Sequence, residues 1–352
     1  MNLGFSLYFG SGLPFNLQLI SRMANAGLKL AFTSLHIPEE TNADYVSDIK
    51  AIFETCQNHG VELMVDIGPR TIEKLGYTSI GQLVETPIRH IRLDYGFSPE
   101  EMIDLSKTFH IVLNASTLSG SELRKLTGSQ ADLNRFSACH NFYPKPHTAI
   151  SVEDARRIND KLDLLGIAPM MFIAGDKMLR GPLFEGLPTI EAYRHMDPLL
   201  AALKLKTETH CDTILIGDVD VSDQSLQALS DLANGFVTLN VSIEAQYQNF
   251  LNTVHHDRPD SSPEVIRSQE SRQYATPGVS VAPTHSRPIK KGDILLSNEK
   301  YLRYSGELEI ARTDLPDDQR YNVIGRVCDD SVPLLDHITS GFGFLMKEKK
   351  HD

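Results

Sequence analysis

Between residue 2 and about residue 235, short apolar runs alternate eight times with amphipathic stretches, and few folds accommodate that rhythm. The runs are LGFSLY (3–8), LAFTSL (30–35), VELMVD (61–66), IRHIRLD (88–94), HIVLNA (110–115), FSACHNF (136–142), MMFIAG (170–175) and TILIGD (213–218). Their length and flanking polar residues predict strands. Helix signals lie between them. In SVEDARRINDKLDLLG, Ser151 is placed to cap, Asp154 follows three residues on, and Gly166 stops the helix. SPEEMIDLSKTF repeats the pattern, with Ser98 at the cap and Pro99 in the first turn. Strand and helix alternating eight times predict a (β/α)8 TIM barrel in the α/β class. An open doubly wound sheet is the competing reading, because periodicity does not reveal closure.

After about Leu239 the texture changes. HHDRPDSSPEV (255–265) is a polar Pro/Ser loop, and GDILLSN, YLRYSGELEIAR and YNVIGRVC read as short strands between tight turns. The expected organisation is a barrel over 1–237 and a small all-β domain, barrel or sandwich, over 238–352.

Composition narrows the partners. No apolar run approaches the roughly 20 residues of a membrane span, and the opening MNLGFSLYFGSGLP has no basic n-region, so the expected location is the cytoplasm. A net charge of −12 argues against nucleic acid and anionic membrane, both of which need a basic footprint. Cys56, Cys139, Cys211 and Cys328 form no CxxC pair and are expected to be reduced, mostly buried thiols. Oligomeric state is left open.

In such a barrel, side chains alternate between the interior and the helix layer, and function gathers where the strands end. In the fourth strand, Ile91 and Leu93 then face the helices, and Arg92 and Asp94 point inward near the top. The same phase turns Asp66 inward at the end of strand three, Asn114 at the end of strand five, and Ser6 and Tyr8 inward in strand one. Further polar groups follow other strands: His36 and Glu39 in SLHIPEE, His140, Asn141 and Tyr143 in HNFYP, Asp176 in AGDK, and Asp218 in IGDVD. Each has a plainer reading, since an Asp at a strand end often caps the next helix and a lone His is often structural.

Carboxylates with Tyr, Asn and His, and no nucleophilic Ser or Cys motif, suit general acid–base chemistry on a polyhydroxylated substrate. A glycosidase needs two carboxyl groups, and Glu39, Asp66, Asp94, Asp176 and Asp218 compete for the two roles. A Schiff-base aldolase would need an inward Lys, for which Lys177 is the nearest candidate. No HxH or HExxH spacing supports a metal, and none is expected. The loop after strand eight, GDVDVSDQS, offers a helix start to a phosphate, but Asp218, Asp220 and Asp223 oppose an anion there.

The motifs SLHIPEE, IRLDYGF, LNAST, HNFYPKPHTAIS, RGPLFEGLPTIEAYRH, VIRSQESR, KKGDILLSNEKYLRYSGELEI and NVIGRV resemble the bacterial 6-phospho-N-acetylmuramidases over nearly the whole chain. The resemblance implies a TIM barrel followed by a cyclophilin-like β-barrel. It implies hydrolysis of the β-1,4 bond of N-acetylmuramic acid 6-phosphate–N-acetylglucosamine during peptidoglycan sugar recycling, with a small phosphorylated carbohydrate as partner and no cofactor. Lys145 stands where the family pattern more often has Arg, keeping a cation but losing a bidentate fork, and Phe9 stands where Pro is common.

The expected catalytic candidates are Asp66 and Asp94, with Glu39 and Asp176 in reserve. Tyr8, His36, Arg92, Asn114, His140, Asn141, Tyr143 and Glu185 form the expected substrate-binding set. Arg267, Arg272, Arg287, Arg303 and Arg312 are read mainly as solvated or structural. A cyclophilin-like fold does not by itself imply isomerase activity. The readings from other classes are a non-catalytic phosphosugar-binding or regulatory protein, and a barrel lyase or aldolase.

Overall fold

The computed structural model describes residues 1–34, 45–67, 72, 77–93, 97–129, 131–272 and 278–349, which fall into two compact units, Met1–Ala233 and Asn234–Asp352. In the first unit the eight expected strands all form: β1 Asn2–Leu7, β2 Leu30–Ser34, β3 Glu62–Ile67, β4 Ile88–Leu93, β5 His110–Asn114, β6 Phe136–Cys139, β7 Ala168–Ile173 and β8 Thr213–Ile216. They pair in chain order, and β8 returns in parallel to β1, so the sheet is a closed barrel rather than an open sheet. Around it, among the described residues, lie α1 Leu13–Asn25, α2 Tyr45–His59, α3 Pro99–Ser106, α4 Gly120–Thr127, α5 Val152–Asp163, α6 Pro198–Thr209 and α7 Asp223–Ala233.

The helix ends form for the reasons the sequence suggests. Ser98 Oγ accepts the Glu101 amide at 3.2 Å while the Glu101 carboxylate accepts the Ser98 amide at 2.7 Å, a capping box that satisfies two orphan donors. Ser151 Oγ accepts the Asp154 amide at 3.1 Å. Beyond α5 the chain turns at Gly166 with φ 73°, a conformation that residues with a Cβ rarely adopt.

The barrel interior is a packed core. Phe32, Met64, Val112, Cys139, Met170, Phe172 and Leu215 come from six strands and form one cluster, with Phe142 against it. Phe32 and Phe172 meet edge to face at 5.4 Å. Every strand member of this cluster is in pleat phase with Arg92, Asp66 or Asn114, which therefore sit on the same interior side nearer the strand ends. His90, His110 and Ser137 share that phase on the opposite side of the plug. Gly4 faces the same interior, where a Cβ would enter the Leu215 side chain and lie 2.5 Å from the Leu30 carbonyl oxygen. Gly4→Ala should therefore destabilise the protein by about 2 kcal/mol through overpacking, read as a lower urea midpoint. An unchanged midpoint would show that the barrel breathes enough to admit a methyl group.

The second unit is one seven-stranded sheet, made of β9 Phe236–Ile243, β10 Val254–His256, β11 Val265–Arg267, β12 Asp293–Ser297, β13 Leu308–Ala311, β14 Tyr321–Val327 and β15 Gly343–Glu348. The order is β10-β15-β9-β14-β12-β13-β11, and a single bridge between Asp257 and Ser268 draws the two edges together into a nearly closed all-β barrel. Asp257 fastens that seam: it is fully buried, accepts the Arg267 amide at 3.0 Å, and pairs with Arg312 at 3.1 Å. The units divide at Ala233/Asn234, a few residues ahead of the expected 237/238. A cut at 237/238 would split β9, which pairs with β15 from Phe236 onward.

Cys56, Cys139 and Cys211 are buried free thiols, and burial pushes the first two up to about 12. They are packing residues, as expected for isolated cysteines. Among the described residues, no helix is long and apolar enough to cross a membrane.

Candidate active site

Five polar residues at the strand ends form one connected network. Asn114, buried at the end of β5, accepts the Ser116 amide on Oδ1 at 3.0 Å. Ser116 Oγ in turn accepts the Asn141 amide at 2.9 Å. Asn141 Oδ1 accepts Arg92 Nη2 at 2.6 Å, and Arg92 Nη1 donates to Asp66 Oδ1 at 2.8 Å. Asp66 and Arg92 are direct neighbours across β3 and β4. Their side chains are only 11% and 6% exposed, so the pair is held in a largely desolvated setting where geometry decides its worth. The second oxygen of Asp66 accepts no hydrogen bond from a described residue.

Opposite strands supply the apolar wall. Tyr8 is buried, packs with Leu187 and Val219, and is flanked by Phe15 and Phe142. Its hydroxyl donates to the Gly217 carbonyl, and its own carbonyl accepts Asn16 Nδ2 at 2.9 Å. The Arg180 guanidinium carbon lies 4.7 Å from the centroid of the Tyr8 ring.

The long loop after β7 is shaped by groups distant in sequence. Asp218, fully buried after β8, accepts the amides of Gly175, Arg180 and Leu187 at 2.8, 2.9 and 3.0 Å. Burial pushes its carboxyl above the usual range, and the three amides work against that rise. Arg194 is the second anchor. It is bonded twice to Glu191, at 2.8 and 2.7 Å, and donates to the carbonyls of Tyr143 and Gly186 at 2.9 Å each. It thus ties the loop after β6 to the loop after β7, and its guanidinium holds Glu191 down to about 2. The sequence reading did not single out Arg194 or Arg180. The i,i+3 spacing of Glu191 and Arg194 was a usable signal for the first.

The structure sorts the expected residues. Asp66, Arg92, Asn114 and Asn141 come together, and Tyr8 lies at the same strand ends. Tyr143 is half-buried, with its amide donating to the Pro188 carbonyl at 3.0 Å, and Glu185 is exposed on the loop after β7. Asp94, Glu39 and His36 lie outside the described residues. His140 is placed differently from the expectation. It is fully buried, with Nε2 2.8 Å from Asn159 Oδ1 on α5, and burial lowers its imidazole below the ordinary range. The pleat explains this, since Asn141 points inward and its neighbour His140 must point to the helices.

Asp176 also has a local duty. Its oxygens accept the Ser222 amide at 2.7 Å and the hydroxyls of Ser222 and Ser225 at 2.9 and 2.6 Å. Burial alone would raise this carboxyl, but those donors outweigh it and hold it low. The carboxylate organises the start of α7, the plainer reading of a strand-end Asp.

Among the described residues, no group of three or more His, Cys, Asp and Glu side chains is arranged to hold a metal ion. The arginines raised for the second unit all have partners within it: Arg267 with Asp260, Arg272 with Glu307, Arg287 with Asp293, Arg303 with the Tyr304 hydroxyl and Arg312 with Asp257.

Comparison with known proteins places both units. Residues 3–231 match the N-terminal model of 6-phospho-N-acetylmuramidase, and residues 236–347 match its C-terminal model. A conserved protein of unknown function from Enterococcus faecalis is similar at 30% identity, with a TM-score of 0.77 over 99% of this chain and 97% of that one. An uncharacterized B. cereus protein is similar at 25% identity, with a TM-score of 0.76 over 99% of both chains. No curated protein matches. With both models matched in order across its two compact units, the chain belongs to the 6-phospho-N-acetylmuramidase family.

Proposed function

We propose that the protein is a cytoplasmic glycoside hydrolase that cleaves the β-1,4 bond between N-acetylmuramic acid 6-phosphate and N-acetylglucosamine, a step in recovering peptidoglycan sugars. The observation that carries this reading is the Asp66–Arg92 pair at the mouth of the barrel, in a chain of this family. Arg92 holds one oxygen of Asp66 and leaves the other for a substrate hydroxyl, a proton or a sugar carbon. Asp94, two residues after Arg92 in the sequence and outside the described residues, is the proposed second carboxylate. Glycosidic hydrolysis needs such a pair: one to protonate the leaving oxygen, the other to activate water or attack the sugar. Glu39 stays in reserve. Asp176 is a weaker reserve, because both its oxygens already serve α7.

Arg92, Asn114 and Asn141 supply the polar wall for hydroxyl and acetamido groups, and the buried Tyr8 positions Arg180 beside it. No step in this chemistry calls for a cofactor. The aldolase reading is disfavoured by Lys177, which pairs with Asp220 at 2.9 Å and is half-exposed, unlike a desolvated Schiff-base amine.

The test is incubation with phosphorylated and unphosphorylated muramyl disaccharide, with products followed by mass spectrometry. Release of N-acetylglucosamine from the phosphorylated compound is expected. Binding without cleavage of either compound would replace the hydrolase with a phosphosugar-binding protein.

A further inference from the structure

The first unit contains an arginine that, among the described residues, has no ion-pair partner, the acidic group it influences being the buried Asp218, whose carboxyl it helps to lower. Arg22 is paired with Asp220 and Asp223, Arg92 with Asp66, and Arg194 with Glu191. Arg180 is half-buried, yet among the described residues its guanidinium makes no hydrogen bond and no ion pair. It is nevertheless held. Its amide is fixed by the fully buried Asp218, and its guanidinium lies 4.7 Å over the ring of Tyr8, which is clamped in turn by its hydroxyl bond to the Gly217 carbonyl. With its carbon 4.7 Å from the ring centroid, the guanidinium is positioned by the ring without committing an N–H to it, and its planar fork can grip an oxyanion with two parallel bonds.

Position adds a second argument. Arg180 lies in the loop after β7, and the groups that fix it come from the ends of β1 and β8. In barrels of this kind the loops after the seventh and eighth strands commonly bind phosphate. The acidic residues that made the neighbouring segment look hostile to an anion are already engaged. Asp220 pairs with Arg22 and Lys177, Asp223 pairs with Arg22, Asp176 accepts Ser222 and Ser225, and Asp218 accepts three loop amides.

We propose that Arg180, pre-set by Tyr8, receives the 6-phosphate of the substrate sugar. This rests on the phosphosugar reading above and names the group that makes the site selective for phosphorylated sugar. A muramyl unit also carries a lactyl carboxylate, which a guanidinium can grip in the same way, so the test separates the two anions.

Calorimetry with N-acetylglucosamine 6-phosphate, which has the phosphate and no lactyl group, and with N-acetylmuramic acid, which has the reverse, is run on the parent protein, Arg180→Ala and Arg180→Lys. The parent should bind the 6-phosphate, Arg180→Ala should lose on the order of 10–100-fold of that affinity, and Arg180→Lys should recover part of it. Weakening of N-acetylmuramic acid alone, unchanged 6-phosphate affinity in Arg180→Ala, or no 6-phosphate binding by the parent overturns the assignment. Steady-state rates give the second readout: the ratio of kcat/KM on phosphorylated over unphosphorylated disaccharide should fall by a similar factor in Arg180→Ala, chiefly through KM. A parent protein that cleaves neither disaccharide removes the hydrolase reading, and the calorimetry still decides Arg180. A parent that prefers the phosphorylated compound, with the preference intact in Arg180→Ala, keeps the hydrolase and removes Arg180. Unfolding temperatures of both variants, expected near that of the parent, separate loss of the anion site from loss of the loop.

Discussion

Asp66→Asn should slow cleavage of the phosphorylated disaccharide by on the order of 10²–10⁴-fold and leave the barrel folded. The amide keeps the shape of the carboxylate and an oxygen for Arg92 Nη1, so the 2.8 Å contact has a substitute. What is lost is the capacity to take a proton or attack a sugar. Arg92→Met should do more damage to stability than to shape. It leaves Asp66, 11% exposed, beside the apolar plug with no counter-ion among the described residues, and breaking a buried pair in this way costs about 3 kcal/mol.

The double variant should be less destabilised than the sum of the two, because Asn beside Met leaves no isolated charge. Urea unfolding of the four proteins measures the coupling, and initial rates measure the chemistry. A full rate in Asp66→Asn would reduce Asp66 to a holder of Arg92. Strict additivity of the stabilities would show that the pair is solvated despite its position.

A comparable loss of stability is expected on acidification, from the other end of the barrel interior. His90 and His110 lie there with ring centroids 4.9 Å apart, and His110 Nε2 is 3.0 Å from Ser137 Oγ. Burial, then the neighbouring His90 and Arg135, hold His110 down to about 4, and Glu62 opposes this only in part. In the unfolded chain the same imidazole titrates near 6.5. The contribution is therefore fully present above pH 6.5, and it is lost as pH falls toward 4, where the unfolded state holds a proton that the folded state refuses. That difference corresponds to roughly 3 kcal/mol at its largest.

His110→Gln keeps a polar group for Ser137 and removes the titration, so its stability should fall much less between pH 7 and pH 4.5 than that of the parent. Carboxylates elsewhere contribute their own acid dependence to both proteins, and the difference between the two curves isolates His110. Curves that stay parallel would mean the imidazole protonates freely within the fold.

Much of this site could be read from strand phase. Asp66, Arg92 and Asn114 alternate with Val65, Ile91 and Leu113, and a period of two assigns each set to one side of a closed sheet. The same rule applied to FSACHNF would have turned His140 toward the helices, since Ser137, Cys139 and Asn141 share the inward phase. The loops carried no such signal. Arg194 meets Glu191 nearby but also Tyr143 across the mouth, and Asp176 meets Ser222 and Ser225 from another strand's loop. Partners separated by 46 and 51 positions in an aperiodic segment leave no trace in local composition.

By itself, the sequence determined the number and order of the strands, the caps of the helices and the inward set of polar residues. All of these rest on short-range periods and on backbone groups that must find partners within a few residues. Tertiary structure alone decided which polar groups at the mouth are committed to holding the fold and which still have bonds to give. Asp218, Asp176 and Arg194 are engaged by groups far along the chain, whereas among the described residues the second oxygen of Asp66 and the guanidinium of Arg180 make no hydrogen bond. That difference depends on which distant donors and acceptors closure of the barrel brings within hydrogen-bonding range.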